Sequence, residues 1–136
     1  LANGTHNLTV GSDIETLIGG TGADTIIFSA VITSGSYDLG AGLDKVTLAG
    51  GANTITLAGV ESVIGGSGAD AVYLGSAVST GTVDLGSGTD SLTLANGDNT
   101  LTIGNVERLA APAPTSLPFP ASCRAEPSRW GLAATS

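Results

Sequence analysis

The sequence predicts an all-β fold in which short parallel strands stack into a solenoid. Three observations predict it: a 46-residue unit occurs twice in succession, apolar residues return every 8 to 11 residues, and glycine-rich turns separate these apolar positions. A strand-and-turn unit of this size cannot bury its own apolar face. Neighbouring units therefore have to stack and share one thin core.

The long repeat covers residues 15–60 and 61–106, which align without a gap. A third copy begins at Glu107 and breaks off after three residues, and residues 1–14 resemble the end of an earlier copy. A long period held in fixed register is typical of stacked repeat architectures. We therefore predict a single solenoid domain over residues 1–109.

Apolar residues two places after each turn mark the inward face of the predicted strands. A second apolar residue usually follows two places later, and this alternation is typical of short strands with one buried face. Valine, isoleucine and leucine fill these positions more often than aromatic residues do, which favours a narrow core. The positions are Leu8, Leu17, Ile26, Tyr37, Val46, Ile55, Val63, Val72, Val83, Leu92, Leu101 and Leu109.

The composition changes after Leu109. All five prolines of the chain fall within residues 110–136, and proline denies a strand ladder its backbone donor. We expect the solenoid to stop near Leu109. The remaining stretch is interpreted as a proline-rich tail that serves as a linker or covers the last coil.

The charge limits the classes of partner. The chain carries 12 Asp and Glu against 4 Lys and Arg, a formal net charge of −8. Binding to nucleic acid needs a basic surface, so it is disfavoured, and no apolar run approaches the ~18 residues of a transmembrane helix. A cation is the partner that this charge favours.

The repeats offer little for catalysis or cross-linking. Residues 1–109 contain one His, one Lys and one Arg, which are scattered, so we predict that the chain is not an enzyme. Cys123 is the single cysteine of the sequence, so no disulfide within the chain is expected.

Four turns share the pattern GxGxD. Residues 19–24 and 65–70 have the full form GGxGxD, and residues 39–44 and 85–90 have Leu in the first place. In these turns the chain resembles the RTX family, the hemolysin-type calcium-binding nonapeptide repeats. The spacing of the repeats resembles that of the family over residues 1–109, and the four turns also carry the GxGxD pattern.

The resemblance implies a parallel β-roll or β-helix that binds calcium between stacked turns. Calcium takes six to eight oxygen ligands, and glycine lets backbone carbonyls converge without a Cβ in the way. In the family pattern, the first and third places of one turn combine with the second and fourth of the next and with both Asp side chains. The implied ligands are Gly19, Thr21 and Asp24 with Gly40, Gly42 and Asp44, and Gly65, Ser67 and Asp70 with Gly86, Gly88 and Asp90.

The number of sides of the coil stays open at this stage. In a two-sided coil the two copies would place their GxGxD turns on opposite edges, whereas a three-sided coil would pair the turns differently. Asn53 would face Asp70 in the two-sided arrangement, which suggests a third ion position there. The same arrangement would place Glu61 on the edge of Asp24 and Asp44, and Glu107 on the edge of Asp70 and Asp90. Asparagine can also stabilise stacked turns without metal, by hydrogen bonding to its neighbours.

The family resemblance implies a structural module of a secreted or surface bacterial protein that folds on meeting calcium outside the cell. One alternative is a metal-independent solenoid with a structural or adhesive role. Another is an ice-binding solenoid, suggested by the threonine pairs Thr54/Thr56 and Thr100/Thr102. Expected partners are calcium, domains of a parent protein and, at open solenoid ends, further copies of the chain.

Overall fold

The computed structural model describes residues 1–112, so nearly all of the predicted tail at residues 110–136 lies outside the described residues. Within the described part, regular structure consists of strands only, and no helix is long and apolar enough to cross a membrane. The predicted all-β class is confirmed.

Each predicted strand core lies in or beside an observed strand, and the strands are short because a turn follows every few residues. The strands are β1 (Asn7–Val10), β2 (Thr16–Thr21), β3 (Thr25–Phe28), β4 (Ser36–Ala41), β5 (Lys45–Thr47), β6 (Thr54–Ala58), β7 (Ser62–Ser67), β8 (Ala71–Leu74), β9 (Gly81–Ser87), β10 (Ser91–Thr93), β11 (Leu101–Gly104) and β12 (Arg108–Ala110).

The strands form two parallel sheets, and the chain alternates between them. One sheet has the order β1-β3-β5-β7-β9-β11 and the other the order β2-β4-β6-β8-β10-β12. Each coil therefore contributes one strand to each sheet. The predicted parallel solenoid is confirmed, and the coil is two-sided.

The core lies between the two sheets and is built from columns of aligned side chains. Ile26, Val46, Val63 and Val83 are register partners on successive strands of the first sheet, and each is at most 2% exposed. Burying such a side chain contributes about 1.5–3 kcal/mol each. The columns therefore hold the coils together along the whole solenoid.

The first half of the solenoid contains the only aromatic pair of the described core. Phe28 and Tyr37 pack edge to face with ring centroids 4.8 Å apart, and the Tyr37 hydroxyl donates a hydrogen bond to the Ile14 carbonyl at 2.5 Å. Gly35 leaves room for the tyrosine ring, which a Cβ there would overlap. The equivalent positions in the second copy, 46 residues later, are Leu74 and Val83.

The two copies of the repeat lie on opposite edges of the solenoid. A copy spans five strands, β2 to β6 or β7 to β11, and five is odd, so the second copy starts in the other sheet. We call the side with the turns at residues 19–24 and 39–44 the first edge. The side with the turns at residues 65–70 and 85–90 is the second edge.

Candidate metal centre

A run of carboxylates joins successive coils along the first edge. The backbone N–H of His6 donates to Asp24 Oδ1 at 2.9 Å, that of Asp24 to Asp44 Oδ1 at 2.6 Å, and that of Asp44 to Glu61 Oε2 at 2.9 Å. Each side chain thus reaches back to the coil before it. We call His6, Asp24, Asp44 and Glu61 the first ladder.

The second edge repeats this pattern with a different starting residue. The backbone N–H of Asn53 donates to Asp70 Oδ1 at 2.9 Å, that of Asp70 to Asp90 Oδ1 at 2.7 Å, and that of Asp90 to Glu107 Oε2 at 2.6 Å. We call Asn53, Asp70, Asp90 and Glu107 the second ladder. The structure therefore brings together both predicted aspartate pairs, and it places them on opposite edges.

The four aspartates of the ladders are buried, and each has an oxygen with no partner. Asp24, Asp44, Asp70 and Asp90 are at most 1% exposed. The Oδ2 atom of each one is buried and makes no hydrogen bond within the described residues. A buried polar atom without a partner is costly, and an unpaired buried charge is more so.

Glycines bring the paired turns into close contact. A Cβ on Gly42 would overlap the Gly22 carbonyl and lie 3.1 Å from Asp44 Oδ1; one on Gly88 would overlap the Gly68 carbonyl and lie 3.1 Å from Asp90 Oδ1. Only a residue without a side chain leaves both the carbonyl and the carboxylate in place. The GxGxD pattern thus serves to stack these turns as well as to shape them.

The carbonyls between the turns of the first edge differ from the implied set. Those of Gly20 and Gly22 lie against Gly40 and Gly42, the Leu39 carbonyl lies against Gly19, and the Ala41 carbonyl accepts the Gly22 N–H at 2.8 Å. The gap between the turns is therefore faced by the second and fourth places of the first turn and by the first and third of the next.

The carbonyls of the implied set face the neighbouring gaps instead. The Thr21 carbonyl accepts the Gly4 N–H at 2.6 Å, on the side away from residues 39–44. The Gly40 carbonyl lies against Gly59, on the following coil. The reason is the pleat: successive carbonyls of an extended strand point to opposite neighbours. The pairing of the turns agrees with expectation, and the carbonyls are offset by one residue.

The second edge shows the same offset. The carbonyls of Gly66 and Gly68 lie against Gly86 and Gly88, and the Ser87 carbonyl accepts the Gly68 N–H at 2.8 Å. The resemblance implies that the Ser67 carbonyl is a ligand in this gap. That carbonyl instead accepts the Gly51 N–H of the preceding coil. Both copies therefore have the same backbone arrangement between their paired turns.

The first ladder concentrates negative charge around Asp44. Burial raises the pKa of the Asp44 carboxyl above its usual value, and the Asp24 N–H that it accepts opposes this rise. The charges of Glu61 and Asp24 raise the pKa of Asp44 further. Asp44 thus lies between two other acids, a position that favours either a proton or a cation at this carboxyl.

These residues fit a hard divalent cation in the chemistry of their donors. Every candidate atom is a carboxylate or carbonyl oxygen, which is what calcium prefers. Within residues 1–112 no group of three or more Asp, Glu, His or Cys side chains is arranged to hold a metal. A cation between paired turns would therefore take two carboxylates, and the remaining ligands would be carbonyls of Gly20, Gly22, Leu39 and Ala41 or water.

Asn53 joins its ladder without any charge. Its Nδ2 donates to the carbonyls of Ala49 and Gly51 and to Asp70 Oδ1 at 2.8–2.9 Å, and its Oδ1 accepts the Ile32 N–H at 3.0 Å. Asn53 faces Asp70, as the two-sided arrangement predicts. Its amide fills this place with hydrogen bonds.

The motif does not identify the glutamates as members of the ladders. Glu61 and Glu107 follow the previous aspartate by 17 residues, whereas Asp44 and Asp90 follow theirs by 20. Spacing alone does not require the longer side chain, because Asp70 follows Asn53 by the same 17 residues and also accepts its N–H. The sequence signal for the glutamates is their place on the edges of the paired aspartates in a two-sided coil, which recurs in both copies.

His6 occupies in the first ladder the place that Asn53 has in the second. Its Nδ1 lies 2.8 Å from Asp24 Oδ1, and its side chain is 29% exposed. By contrast, Asp38 and Asp84 lie on strands β4 and β9 with exposed side chains that accept the N–H two residues later. These two aspartates lie outside the ladders.

Comparison with family models, with curated proteins and with solved structures gave no match to this chain. The ladders are therefore interpreted from their own chemistry.

Proposed function

We propose that the chain is a calcium-binding structural module of a secreted or surface bacterial protein, and that calcium outside the cell completes its fold. One observation carries the proposal: in four buried aspartates, repeated on two edges, one carboxylate oxygen has no partner. A calcium ion between Asp24 and Asp44, and another between Asp70 and Asp90, would supply the partner that the fold lacks.

The proposed role of calcium follows from charge. Buried carboxylates on adjacent coils repel each other, because little solvent lies between them to screen the charge. When bound, calcium supplies a positive charge that offsets this repulsion. The chain contributes the rest: glycines stack the turns, and backbone N–H groups fix one oxygen of each aspartate so that the other stays free.

Calcium binding would be linked to folding. The paired turns come from positions 20 residues apart in sequence, so the site is absent from an unfolded chain. A cation that binds only the folded form stabilises it in proportion to the logarithm of its concentration. Where calcium is scarce the chain would stay unfolded, and where calcium is abundant it would form the solenoid.

The test combines circular dichroism with isothermal titration calorimetry on the same samples. We expect strand signal to be low in excess chelator and to rise with calcium, together with heat from about two or more ions per chain. The double variant Asp24→Asn/Asp70→Asn should respond weakly, because it loses a charge at each pair. Asp38→Asn/Asp84→Asn is the matched control, since both of these carboxylates are exposed.

A second candidate is a metal-independent solenoid with a structural or adhesive role. The Asn53 side chain favours it, since that residue joins three coils by hydrogen bonds alone. Equal strand content in chelator and in calcium, without heat of binding, would support this candidate and contradict the calcium proposal. A thermal hysteresis assay on the folded chain would then test the ice-binding form of this alternative.

A further inference from the structure

The third position of each ladder is a glutamate that the GxGxD motif does not include. Glu61 Oε2 accepts the Asp44 N–H, and Glu107 Oε2 accepts the Asp90 N–H. One oxygen of each glutamate thus takes the hydrogen bond that aspartate Oδ1 takes on the coils before. The other oxygen is not needed for the backbone, just as Oδ2 is not needed in the aspartates.

The middle aspartate faces acids on both sides. Asp44 Oδ1 accepts the Asp24 N–H, whereas Asp44 Oδ2 is buried without a partner. The carboxylates of Asp24 and Glu61 both act on Asp44 electrostatically. One divalent cation between Asp24 and Asp44 would leave the three acids of this ladder with a negative charge uncompensated. That remaining charge would lie beside a buried carboxylate, which is unfavourable.

We call residues 59–61, between β6 and β7, the third turn of the first edge. A backbone carbonyl faces the gap between this turn and the turn at residues 39–44. The Gly40 carbonyl lies against Gly59, close enough that a Cβ on Gly59 would overlap it. Gly59 adopts the left-handed conformation, with φ of 59°, and its equivalent Asn105 keeps this conformation with φ of 51°. The tight third turn, and with it the approach of glutamate to aspartate, is therefore a feature of both copies.

We propose that each ladder holds a second divalent cation, between Asp44 and Glu61 on the first edge and between Asp90 and Glu107 on the second. The inference rests on the proposed calcium-binding function and extends it to a gap without a GxGxD turn. The side-chain ligands are the free oxygen of Glu61 and Asp44 Oδ2, which would bridge this cation and the one beside Asp24. The Gly40 carbonyl faces the same gap, where it lies against Gly59. The ligand class is a hard divalent cation, because all donors are oxygen.

The experiment counts calcium ions bound per folded chain, by equilibrium dialysis and by native mass spectrometry. The whole chain should bind about four ions, two per ladder. Glu61→Gln and Glu107→Gln should each bind about one fewer ion, and the double variant about two fewer. Glutamine keeps an oxygen to accept the Asp44 or Asp90 N–H, so the loss reports the charge and not the hydrogen bond.

Two further variants keep the test decisive. Glu107 is exposed and directly precedes β12, the last strand of its sheet, so Glu107→Gln tests the inference even where Glu61→Gln does not fold. Asp38→Asn is the control, because it removes an exposed carboxylate outside the ladders and should leave the count unchanged. Circular dichroism in calcium confirms that each counted variant is folded.

The outcomes separate this inference from the function on which it rests. A count of about two ions that survives both glutamine substitutions would overturn the second position and leave the calcium-binding module intact. Absence of bound calcium in the folded chain would overturn both. A count that falls with each glutamine substitution, and stays constant in Asp38→Asn, is the expected result.

Discussion

The two ladders have the same sequence chemistry but different surroundings. They contain the same Asp–Asp–Glu series in the same hydrogen-bonding order, although one lies where the chain passes into the first sheet and the other where it leaves it. The pattern therefore depends on the repeat and not on the sheet that follows. The ladders differ at their ends. The first begins with His6 and ends with a half-buried Glu61, whereas the second begins with Asn53 and ends with an exposed Glu107.

This comparison separates what the turns contribute from what their neighbours contribute. A property that depends on the glycine turns should respond equally to the same change on both edges. A property that depends on neighbouring residues should respond unequally. Matched substitutions at equivalent positions, 46 residues apart, distinguish these cases.

The largest effect is expected from alanine at the two glycines that stack the turns. Gly42→Ala and Gly88→Ala should each lower the free energy of unfolding by about 3 kcal/mol, because the new Cβ would overlap a backbone carbonyl of the adjacent turn. Urea unfolding in calcium measures this. The two effects should be similar, since both glycines meet equivalent atoms, with Gly88→Ala the more costly because Gly88 has a φ of 155°.

Gly11→Ala is the control for the glycine substitutions. A Cβ on Gly11 would have no neighbour within 4 Å, so the change in the free energy of unfolding should stay within about 0.5 kcal/mol. Loss of stability in only one of Gly42→Ala and Gly88→Ala would show that the two edges are not equivalent. That result would contradict the view that the repeat alone builds the turns.

A smaller and unequal effect is expected from the two asparagines. Asn53→Ala should lower the free energy of unfolding by about 2 kcal/mol and Asn99→Ala by about 1 kcal/mol. Both side chains bond the carbonyls of their own turn and accept an N–H from the coil before. Only Asn53 also donates to a following aspartate and is fully buried.

Thermal unfolding of both variants in calcium gives this difference. His6→Asn adds a comparison between the two ladders, because it gives the first ladder the same first residue as the second. We expect that substitution to leave stability nearly unchanged, since asparagine can also donate to Asp24. Equal losses for Asn53→Ala and Asn99→Ala would mean that the bond from Asn53 to Asp70 contributes nothing, and that the aspartates hold their places by backbone contacts alone.

The sequence predicts more of the ladders than of the backbone between them. The repeat length and the GxGxD spacing pair Asp24 with Asp44 and Asp70 with Asp90, and the structure places these residues together. The motif does not predict the direction in which each carbonyl points, because that direction depends on where the strand pleat begins relative to the motif. A shift of one residue reverses which gap Thr21 faces, and nothing in the motif specifies that shift.

The glutamates were not identified as ligands for another reason. The GxGxD motif describes one turn, and the turn before Glu61 lacks it, so only the count of units in a two-sided coil places Glu61 beside Asp44. The two-sided coil also had to be known before Glu61 could be placed on the same edge as Asp44, and the sequence leaves the number of sides open.

The smallest effect is expected at Tyr37, which distinguishes the cores of the two halves. Tyr37→Phe should lower the free energy of unfolding by about 1 kcal/mol at neutral pH, because it removes the hydrogen bond from the hydroxyl to the Ile14 carbonyl. Tyr73→Phe is the control, since that ring lies 44% exposed on the outer face of the solenoid. Thermal unfolding compares both variants with the unchanged chain.

The pH dependence of this contribution follows from the pKa. Burial raises the pKa of Tyr37, and the nearby charge of Glu15 raises it further. A raised pKa means that the folded chain holds the phenolic proton more tightly than the unfolded chain does. The contribution is therefore complete below about pH 10, the ordinary value for tyrosine, and is lost as the pH rises through the raised value. Tyr37→Phe should remove this part of the alkaline destabilisation. If the variant unfolds in alkali as readily as the unchanged chain, the ring of Tyr37 does not couple to the fold, and the two halves differ only in the size of their core residues.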